Sequence, residues 1–420
     1  MNIKYRAHNC RRSELLKFRS ENAGSPFCPE VVSRCPRVVF LTDIPTPYIV
    51  EIMHELSLRV DLLCLFCAQK ASRGMDWSFE RQLGFRHLVI GGMKIKRHAD
   101  TTDWYISPRI FWRLLRARPD AIISGGFSIP SFYAHLYCKL AGAKLIIYSD
   151  GTPAYEKGLG WLQRVARKIL VPRVSAFIAK SKPAADRFEE LGAKGRIFLA
   201  PHTTNLAPLL EIGASRDWSD KAELRLLSVG RLIRRKGIQH LIRALAAMRP
   251  VRRPVSLTIV GSGPEEAELR ALAQSLGVRG IRFAGFADQN ELPAYYAAAD
   301  VFVFPTLEDP YGIVLLEAAA SGLALIASEY AGATQDFVRD GESGMIFDPL
   351  DEFALAERIA RLADCPTLVR DLGLAAHGVA RLRTPDRTAE KYVSAIMAVM
   401  SNKANAPNQW KAKEGASRGT

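Results

Sequence analysis

The sequence predicts an α/β protein made of two domains, each with a doubly wound, parallel sheet. Short apolar runs alternate with helical patterns along most of the chain, which is typical of successive β-α-β units. The alternation stops in a polar stretch at 206–223 and then begins again, which favours a linker there. The chain has 420 residues, more than one compact core usually holds, so two domains of ordinary size are expected.

The first domain is expected at 37–205. Its strands are short runs rich in Val, Ile, Leu and Phe, and its helices are longer stretches with apolar residues at helical spacing. In chain order the predicted strands are 37–41, 60–66, 121–124, 144–148, 176–179 and 197–200. The predicted helices are 47–57, 108–117, 131–141, 160–171 and 182–191.

The second domain is expected at 224–384, where the same alternation starts again. A further helix is expected at 385–402. Residues 1–36 and 403–420 show little periodicity and are expected to be a flexible extension and a disordered tail. The predicted strands are 224–229, 255–260, 281–283, 301–304 and 325–327, and the predicted helices are 237–248, 264–276, 290–298, 313–321 and 351–363.

The composition is that of a folded protein. Hydrophobic residues make up 48% of the chain, and no run of 18 apolar residues occurs, so a spanning helix is not expected. The basic N-terminus lacks the apolar centre of a signal peptide, so export is not expected. The seven cysteines are dispersed, as in a reducing compartment. Cys64 and Cys67 form a C-x-x-C within a buried-strand pattern, where structural cysteines are favoured over a metal or redox site.

The positive charge is concentrated in the first domain. The formal net charge is +15, and residues 37–205 carry +11, from 25 basic and 14 acidic side chains. Such a field favours an anionic partner on that side, whether membrane headgroups, a lipid diphosphate or nucleic acid. The helix at 160–171 adds a cationic face beside Trp161, which suits either an anionic membrane or plain exposure to solvent.

The strongest functional signal runs from Asp309 to Glu317. It follows the predicted strand at 301–304 and places two carboxylates across a tight turn and the start of a helix. Gly312 lets the backbone approach a ligand closely. The free N–H groups at the helix start are then expected to bind an anionic group, and a diphosphate fits such a site. These N–H groups belong to Ile313, Val314 and Leu315.

This stretch resembles the donor-site signature of the retaining family 4 glycosyltransferases, which have the GT-B fold of two Rossmann-like domains facing across a cleft. In that family two glutamates flank seven residues with Phe-Gly or Trp-Gly in the middle. Here the first acid is Asp309, one methylene shorter, with Glu308 beside it, so two carboxylates are candidates for contact with the donor sugar. The resemblance implies that Glu317 binds ribose hydroxyls and that the helix at 385–402 crosses back to the first domain.

A second element, Gly230-Arg231-Leu232 with Lys236-Gly237 after it, resembles the family's Gly-Arg-Leu…Lys-Gly element. The resemblance implies that Arg231 and Lys236 grip the nucleotide diphosphate, with Gly230 beside them. Two fixed cations neutralise the charge that grows on a departing diphosphate and can replace a divalent metal. The chain has no Asp-x-Asp triplet of the metal-dependent type, so no metal or other cofactor is expected. The two arginines just before Lys236 are interpreted as solvated charge.

A further match is Phe283-Ala284-Gly285-Phe286. It lies where the backbone of the resembled family contacts the nucleobase. Gly285 and Phe286 are therefore candidates for that contact.

Candidates for the acceptor side come from the first domain. The loop after the first strand contains Pro45 and Tyr48 and resembles the Pro-x-Pro-Tyr loop of some bacterial polysaccharide transferases. Its prolines make it stiff, which suits an acceptor wall or simply a rigid turn. Asp150 follows the strand at 144–148, where open α/β sheets bind ligands, although Asp-Gly is also common turn chemistry. His202 is expected at the surface or in a hinge.

These features predict a retaining, metal-independent, hexosyltransferase-like glycosyltransferase. It would move a sugar from a nucleotide-diphosphate sugar to a glycan or lipid-linked acceptor in cell-surface polysaccharide or lipopolysaccharide synthesis, in the cytoplasm or peripherally on the inner face of the plasma membrane. Two alternatives stay open. One is a catalytically inactive nucleotide-sugar-binding protein, because Asp309 replaces a glutamate. The other is a basic nucleic-acid-binding protein, but no signature of a known module accompanies the charge, so nucleic acid is not expected as a partner.

Overall fold

A computed structural model describes residues 35–69, 83–95, 104–152, 161–219 and 221–401. The described residues form two compact units. The first unit contains the residues up to Thr204 and those from Pro385 onward, and the second contains Asn205–Thr384. The predicted extension and tail lie outside the described residues, apart from Cys35 and Pro36.

The first unit is built on a seven-stranded parallel sheet. Its strands are β1 (Arg37–Thr42), β2 (Asp61–Phe66), β3 (His87–Val89), β6 (Ala121–Gly125), β7 (Lys144–Ser149), β8 (Ala176–Ala179) and β9 (Arg196–Leu199), while β4 (Met93–Ile95) and β5 (Trp104–Ile106) form a separate antiparallel pair. The order across the sheet is β3-β2-β1-β6-β7-β8-β9. Because these strands are parallel, their carboxyl ends lie along one edge of the sheet.

Helices cover both faces of this sheet, as the near-continuous apolar strands require. They are α1 (Pro47–Ser57), α2 (Arg109–Ala117), α3 (Ile129–Ala141), α4 (Trp161–Leu170), α5 (Lys182–Glu190) and the last described helix, α14 (Pro385–Met400). Helix α14 packs on α1 and belongs to the first unit, where Tyr392 and Ile396 are fully buried in the same core as Phe40. The chain thus returns to its first sheet at residue 385.

The second unit is built on a six-stranded parallel sheet with the order β12-β11-β10-β13-β14-β15. Its strands are β10 (Leu224–Val229), β11 (Val255–Val260), β12 (Ile281–Gly285), β13 (Val301–Phe304), β14 (Ala324–Ser328) and β15 (Met345–Phe347). Its helices are α6 (Ala207–Ala214), α7 (Ile238–Ala246), α8 (Glu266–Ser275), α9 (Leu292–Ala298), α10 (Ile313–Ala320), α11 (Gly332–Phe337), α12 (Glu352–Asp364) and α13 (Pro366–Ala380). The predicted α/β class is therefore confirmed.

The stretch predicted as a linker, residues 206–223, differs from that prediction. It contains helix α6, which packs in the core of the second unit through Leu209. Arg216 also anchors it there, because its guanidinium donates hydrogen bonds to the carbonyls of Tyr296 (2.8 Å) and Ser321 (2.9 Å). The local sequence pattern is simply polar. It does not reveal that Arg216 donates hydrogen bonds to buried carbonyls.

No helix among the described residues has the length and apolar character that crossing a membrane requires.

Candidate functional site

Two loops of the second unit meet at the carboxyl edge of its sheet, because strands β10 and β13 are neighbours. Lys236 ends a short 3₁₀ turn after β10, and Asp309 lies in the loop after β13. The ammonium of Lys236 forms an ion pair with Oδ2 of Asp309, and the two side chains are only 17% and 11% exposed. The structure thus brings together a cation and a carboxylate that lie far apart in the sequence.

Close backbone contact allows the turn with Lys236 to lie beside the loop with Asp309. Gly237 has a φ of +69°, and a Cβ at this position would lie 1.9 Å from the carbonyl oxygen of Pro305. Only glycine fits both the left-handed conformation and the contact. The turn that carries Lys236 therefore lies directly against the chain that leads to Asp309.

Arg235 strengthens the same contact and was not expected to do so. Its guanidinium donates to the carbonyl of Glu308 at 3.1 Å, and its own carbonyl accepts from the N–H of Leu307 at 2.8 Å. The interpretation of this arginine as solvated charge was wrong, since it ties the two loops together. Arg234, by contrast, is exposed.

Asp309 is held in place by the backbone around it. Its Oδ1 accepts from the N–H of Tyr311 at 3.1 Å, and its carbonyl accepts from the N–H of Gly332 at 3.1 Å. Glu308 is half-buried, and its carboxylate makes no ion pair with any described residue. Of the two candidate carboxylates, Asp309 is the fixed one.

Helix α10 begins beside this pair. Gly312 precedes it with a φ of +91°, and a Cβ there would lie 2.5 Å from Cε1 of Phe304. The Nζ of Lys236 lies 5.6 Å from the centre of the same ring. Phe304 therefore contacts both the glycine at the helix start and the lysine, which places the helix start near the cation.

The N–H groups of this helix start were predicted to be free, and for Leu315 this is wrong. Its N–H donates to the carbonyl of Gly312 at 3.0 Å, because the first turn is tight. Ile313 and Val314 occupy the first two helical positions, whose N–H groups have no acceptor within an α-helix. These two remain available to an anion.

Glu317 lies one turn further along helix α10. Its Oε2 accepts a hydrogen bond from the hydroxyl of Tyr296 at 2.8 Å, and Tyr296 is fully buried. Burial raises the pKa of Glu317, and the hydrogen bond from Tyr296 offsets only part of this effect. The sequence pattern did not reveal Tyr296, because it lies 21 residues away on another helix.

The other predicted donor-side residues also lie at strand ends of this sheet. Gly230 follows β10, and a Cβ there would lie 4.0 Å from Cε of Lys236, so it is beside the lysine stem. Arg231 follows it and is half-buried. Gly285 ends β12, two strands away from β10, and Phe286 after it is 65% exposed.

The acceptor-side candidates lie at the carboxyl edge of the first unit. Pro45 is buried, and Tyr48 meets the ring of His202 edge-on at 4.8 Å. Nε2 of His202 lies 3.7 Å from Oδ2 of Asp150. His202 is only 7% exposed, so it is not a surface histidine, although it lies two residues before the boundary between the two units. Its partners follow different strands and are not apparent from its neighbours in sequence.

The pKa of Asp150 is lowered by these surroundings. Loss of solvent acts to raise it, but the neighbouring His202 and the charge of Lys180 together outweigh that effect. The side chain of Asp150 is 51% exposed, so an ionised carboxylate is presented at this edge.

The second-unit site carries the charges needed to hold a phosphorylated ligand. The side chains of Lys236 and Arg231 can each interact with a phosphate oxygen. So can the N–H groups at the helix start, those of Ile313 and Val314. Asp309 and Glu317 are acceptors for hydroxyl groups. Among the described residues, no group of three or more His, Cys, Asp or Glu side chains is arranged to hold a metal ion.

Solved structures with similar folds cover most of the chain. HepE from Anabaena, crystallised with UDP and glucose, matches with a TM-score of 0.67 at 18% identity, over 86% of this chain and 100% of that chain. The apo form of the lipopolysaccharide outer core galactosyltransferase WaaB matches with a TM-score of 0.66 at 14% identity, over 86% of this chain and 99% of that one. These likenesses confirm the GT-B fold.

Sequence comparisons give the family. Residues 217–379 match the model described as glycosyl transferases group 1. The chain is 33% identical to the lipopolysaccharide core biosynthesis glycosyltransferase LpsE of Rhizobium meliloti over 179 residues, which span 42% of this chain and 51% of LpsE, about half its length. It is 36% identical to glycogen synthase of Mycobacterium tuberculosis over 304 residues, which span 70% of this chain and 68% of that enzyme. The chain therefore belongs to the glycosyl transferases group 1 family.

Proposed function

We propose that the protein is a retaining glycosyltransferase that takes a nucleotide-diphosphate sugar as donor and requires no metal. The observation that carries the proposal is the ion pair between Lys236 and Asp309 beside the start of helix α10. HepE, which has a similar fold, was crystallised with UDP and glucose. This supports a nucleotide-diphosphate sugar as the donor.

The diphosphate of the donor binds Lys236 and Arg231 in this proposal, together with the N–H groups of Ile313 and Val314. As the bond between sugar and phosphate breaks, negative charge grows on the diphosphate. Cations and helix N–H groups that are already in place favour this separation more than they favour the intact donor. Metal independence is part of the proposal because these groups are available to neutralise that charge.

The carboxylates bind the two sugars of the donor. Asp309, whose Oδ1 is fixed by the N–H of Tyr311, accepts hydrogen bonds from hydroxyls of the transferred sugar. Glu317 binds the ribose hydroxyls, and its carboxylate is oriented by the hydroxyl of Tyr296. The departing phosphate accepts the proton of the incoming hydroxyl on the same face of the sugar, so no protein nucleophile is required.

The acceptor is a glycan or lipid-linked saccharide of cell-surface polysaccharide or lipopolysaccharide. The similarity to LpsE and WaaB, both of lipopolysaccharide synthesis, supports this context. So does the first unit, where helix α4 exposes Trp161 (71%), Val165 (42%) and Ile169 (41%) at four-residue spacing. Arg164 and Lys168 are exposed beside them, and a basic amphipathic face of this kind suits the anionic inner surface of the plasma membrane.

The test begins with thermal unfolding of the purified protein against UDP-, GDP-, ADP- and dTDP-sugars, with the free sugars as controls. A bound donor raises the midpoint in a concentration-dependent way. The donor that does so is then incubated with rough-type lipopolysaccharide, with and without EDTA, and the anomeric configuration of the product is read by NMR.

Transfer with retained configuration and undiminished rate in EDTA supports the proposal. Stabilisation without any transfer or donor hydrolysis identifies the inactive nucleotide-sugar binder instead. An absence of stabilisation by every nucleotide sugar overturns the donor assignment.

A further inference from the structure

Lys180 lies at the carboxyl edge of the first sheet, directly after strand β8. Its N–H donates to the carbonyl of Ser149 at 3.1 Å, and Ser149 pairs with Ala179 in the register of β7 and β8. Lys180 therefore stands next to Asp150, which directly follows β7. Both residues lie at the sheet edge where ligands of open α/β sheets bind.

The ammonium of Lys180 is buried, and no acceptor for it lies in the described part of the chain. The residue is 0% exposed, and its Nζ has no hydrogen-bond partner among the described residues. Its nearest ring neighbours are Tyr392, with the ring centre 4.6 Å from Nζ, and Tyr148 at 5.6 Å. The hydroxyl of Tyr148 is turned away to Thr42, to which it donates at 2.7 Å. The rings thus contribute a cation–π attraction but no hydrogen bond.

Such a lysine is costly for the fold. A buried cation that lacks an acceptor loses its hydration without replacement, and a methionine of similar length would avoid that loss. Burial lowers the pKa of Lys180 to about 7, and only the charge of Asp150 opposes this effect. Burial also keeps the pKa values of Tyr148 and Tyr392 high, so these phenols stay protonated. Among the described residues, Asp150 is therefore the carboxylate whose charge acts on this ammonium.

Asp150 differs from Lys180 in its access to solvent. Its side chain is 51% exposed, whereas Lys180 is fully buried and His202, 3.7 Å from the carboxylate, has only 8% of its side chain exposed. The carboxylate thus has His202 on its buried side and the charge of Lys180 acting on it, and it is open to solvent. An open, ionised carboxylate at a sheet edge is suited to accept a hydrogen bond from a hydroxyl group.

We propose that Lys180 is a positioning residue, which together with His202 keeps Asp150 ionised and oriented to bind the hydroxyl of the acceptor. The inference rests on the proposed function and extends it, since it assigns a residue to the acceptor side. It also accounts for a buried charge that packing alone does not require.

The direct test follows the titration of Asp150 by NMR of carboxyl-labelled aspartate, with the signal assigned by its loss in Asp150→Asn. Lys180→Met keeps the length of the side chain and removes the charge. It is expected to raise the pKa of Asp150 by about one unit, the lower end of the scale for loss of an opposite charge. The matched control is Lys144→Met, at the other end of strand β7, which should leave the titration unchanged. An unchanged titration in Lys180→Met overturns the proposal.

A reciprocal measurement covers the case in which Lys180→Met does not fold. In Asp150→Asn the amine of Lys180 is followed by ¹⁵N NMR, and its pKa should fall below the wild-type value. No change in that pKa also overturns the proposal.

The functional arm uses UDP-glucose as the probe donor and water as the probe acceptor. Lys180→Met and Asp150→Asn should each lower the hydrolysis rate about tenfold or more, within the range for loss of a group that positions a proton-bearing reactant. Thermal stabilisation by UDP-glucose should be unchanged, since donor binding is assigned to the second unit. Loss of that stabilisation in either variant would contradict a role on the acceptor side.

This arm also separates the two proposals. If the wild-type protein is neither stabilised by UDP-glucose nor hydrolyses it, UDP-glucose is not its donor, and the titration of Asp150 still decides the role of Lys180.

Discussion

The ammonium of Lys236 and the carboxylate of Asp309 form an ion pair between the ends of two neighbouring strands, although 73 residues separate them in the chain. Both side chains are mostly buried, so their desolvation already occurs on folding. A donor that binds here offers phosphate oxygens to Lys236 and sugar hydroxyls to Asp309. Each partner then exchanges one polar contact for another, which limits the desolvation cost of binding.

Removal of the Lys236 ammonium tests the role of this lysine most directly. Lys236→Ala should lower turnover by roughly 10²–10³, the scale for loss of one charge-stabilising group in a transition state. The measurement is the initial rate with the donor that the thermal screen identifies. The matched control is Arg234→Ala, an exposed cation two residues away, which should retain wild-type turnover. Wild-type turnover in Lys236→Ala would refute the assignment of this lysine.

The two neighbouring acids can be distinguished by neutral substitutions. Asp309→Asn should lower the rate about 10- to 100-fold, because hydrogen bonds to a charged group are stronger than those to a neutral one. Glu308→Gln should change the rate little, since the structure fixes Asp309 and leaves Glu308 without an ion pair among the described residues. Asp309→Glu, which restores the family's residue, should be more active than Asp309→Asn. The reverse ranking of the two neutral variants would assign the sugar contact to Glu308.

The residues of the second-unit site that were found from the sequence lie in short local motifs. Lys236 and Asp309 each follow a strand that its apolar run makes recognisable, and parallel strands bring their carboxyl ends to one edge. The two residues themselves were singled out by the resemblance to the family's motifs. The pairing of the two strands and the ion pair between the residues come from the structure.

Residues whose surroundings depend on distant parts of the chain were not recognised from the sequence. Arg235 resembles a solvated charge in sequence, yet its guanidinium donates to the carbonyl of Glu308. Lys180 follows four buried residues of β8 and resembles the start of an exposed helix, yet it is fully buried. The only local signal was a lysine directly at a strand end. Whether such a lysine is covered depends on α14, more than 200 residues later in the chain, which supplies Tyr392.

Helix α13, Pro366–Ala380, was not predicted from the sequence, and it contains a glycine in its interior. Gly373 is unfavourable in a helix, but a Cβ there would lie 2.5 Å from the carbonyl oxygen of Gly322 and 2.5 Å from the ring of Trp218. Close packing therefore outweighs the low helix propensity of this residue. Local propensity alone could not reveal that contact.

Gly312 should be intolerant of any side chain. Gly312→Ala introduces strain from the left-handed backbone, about 1–2 kcal/mol, and an overlap with Phe304 that adds to it. The matched control is Gly341→Ala, which has a similar φ of +75° but no atom within 4 Å of the added Cβ. Urea unfolding should show a clearly larger loss of stability for Gly312→Ala. Equal losses would show that the contact with Phe304 is relaxed at little cost.

The exposed face of helix α4 should bind anionic vesicles. Flotation with vesicles of phosphatidylglycerol and phosphatidylcholine should recover the protein, and vesicles of phosphatidylcholine alone should recover much less. Removal of one charge, as in Arg164→Gln or Lys168→Gln, should weaken binding about fivefold, the equivalent of about 1 kcal/mol per basic residue near the surface.

The apolar side of the same face is tested by Trp161→Ser. It should also weaken vesicle binding, whereas Phe353→Ser, which changes an equally exposed aromatic residue of the second unit, should not. Binding that ignores lipid charge, or that is equal in the two variants, would contradict a membrane role for α4.

Lys180 should make the stability of the protein depend on pH in a defined direction. Its pKa is about 7 in the folded protein, against the ordinary value of 10.5 in the unfolded chain. Between these two values the unfolded chain binds a proton that the folded protein does not, so this group makes stability rise with pH. Below pH 7 both states are protonated, and the full penalty of the buried cation is present.

Lys180→Met should therefore stabilise the protein most at pH 6 and progressively less from pH 8 to pH 10. Urea unfolding at these pH values measures the difference, and Lys144→Met should show an offset that does not vary with pH. A stability difference for Lys180→Met that stays constant over this range would mean that the amine is charged in the folded protein throughout.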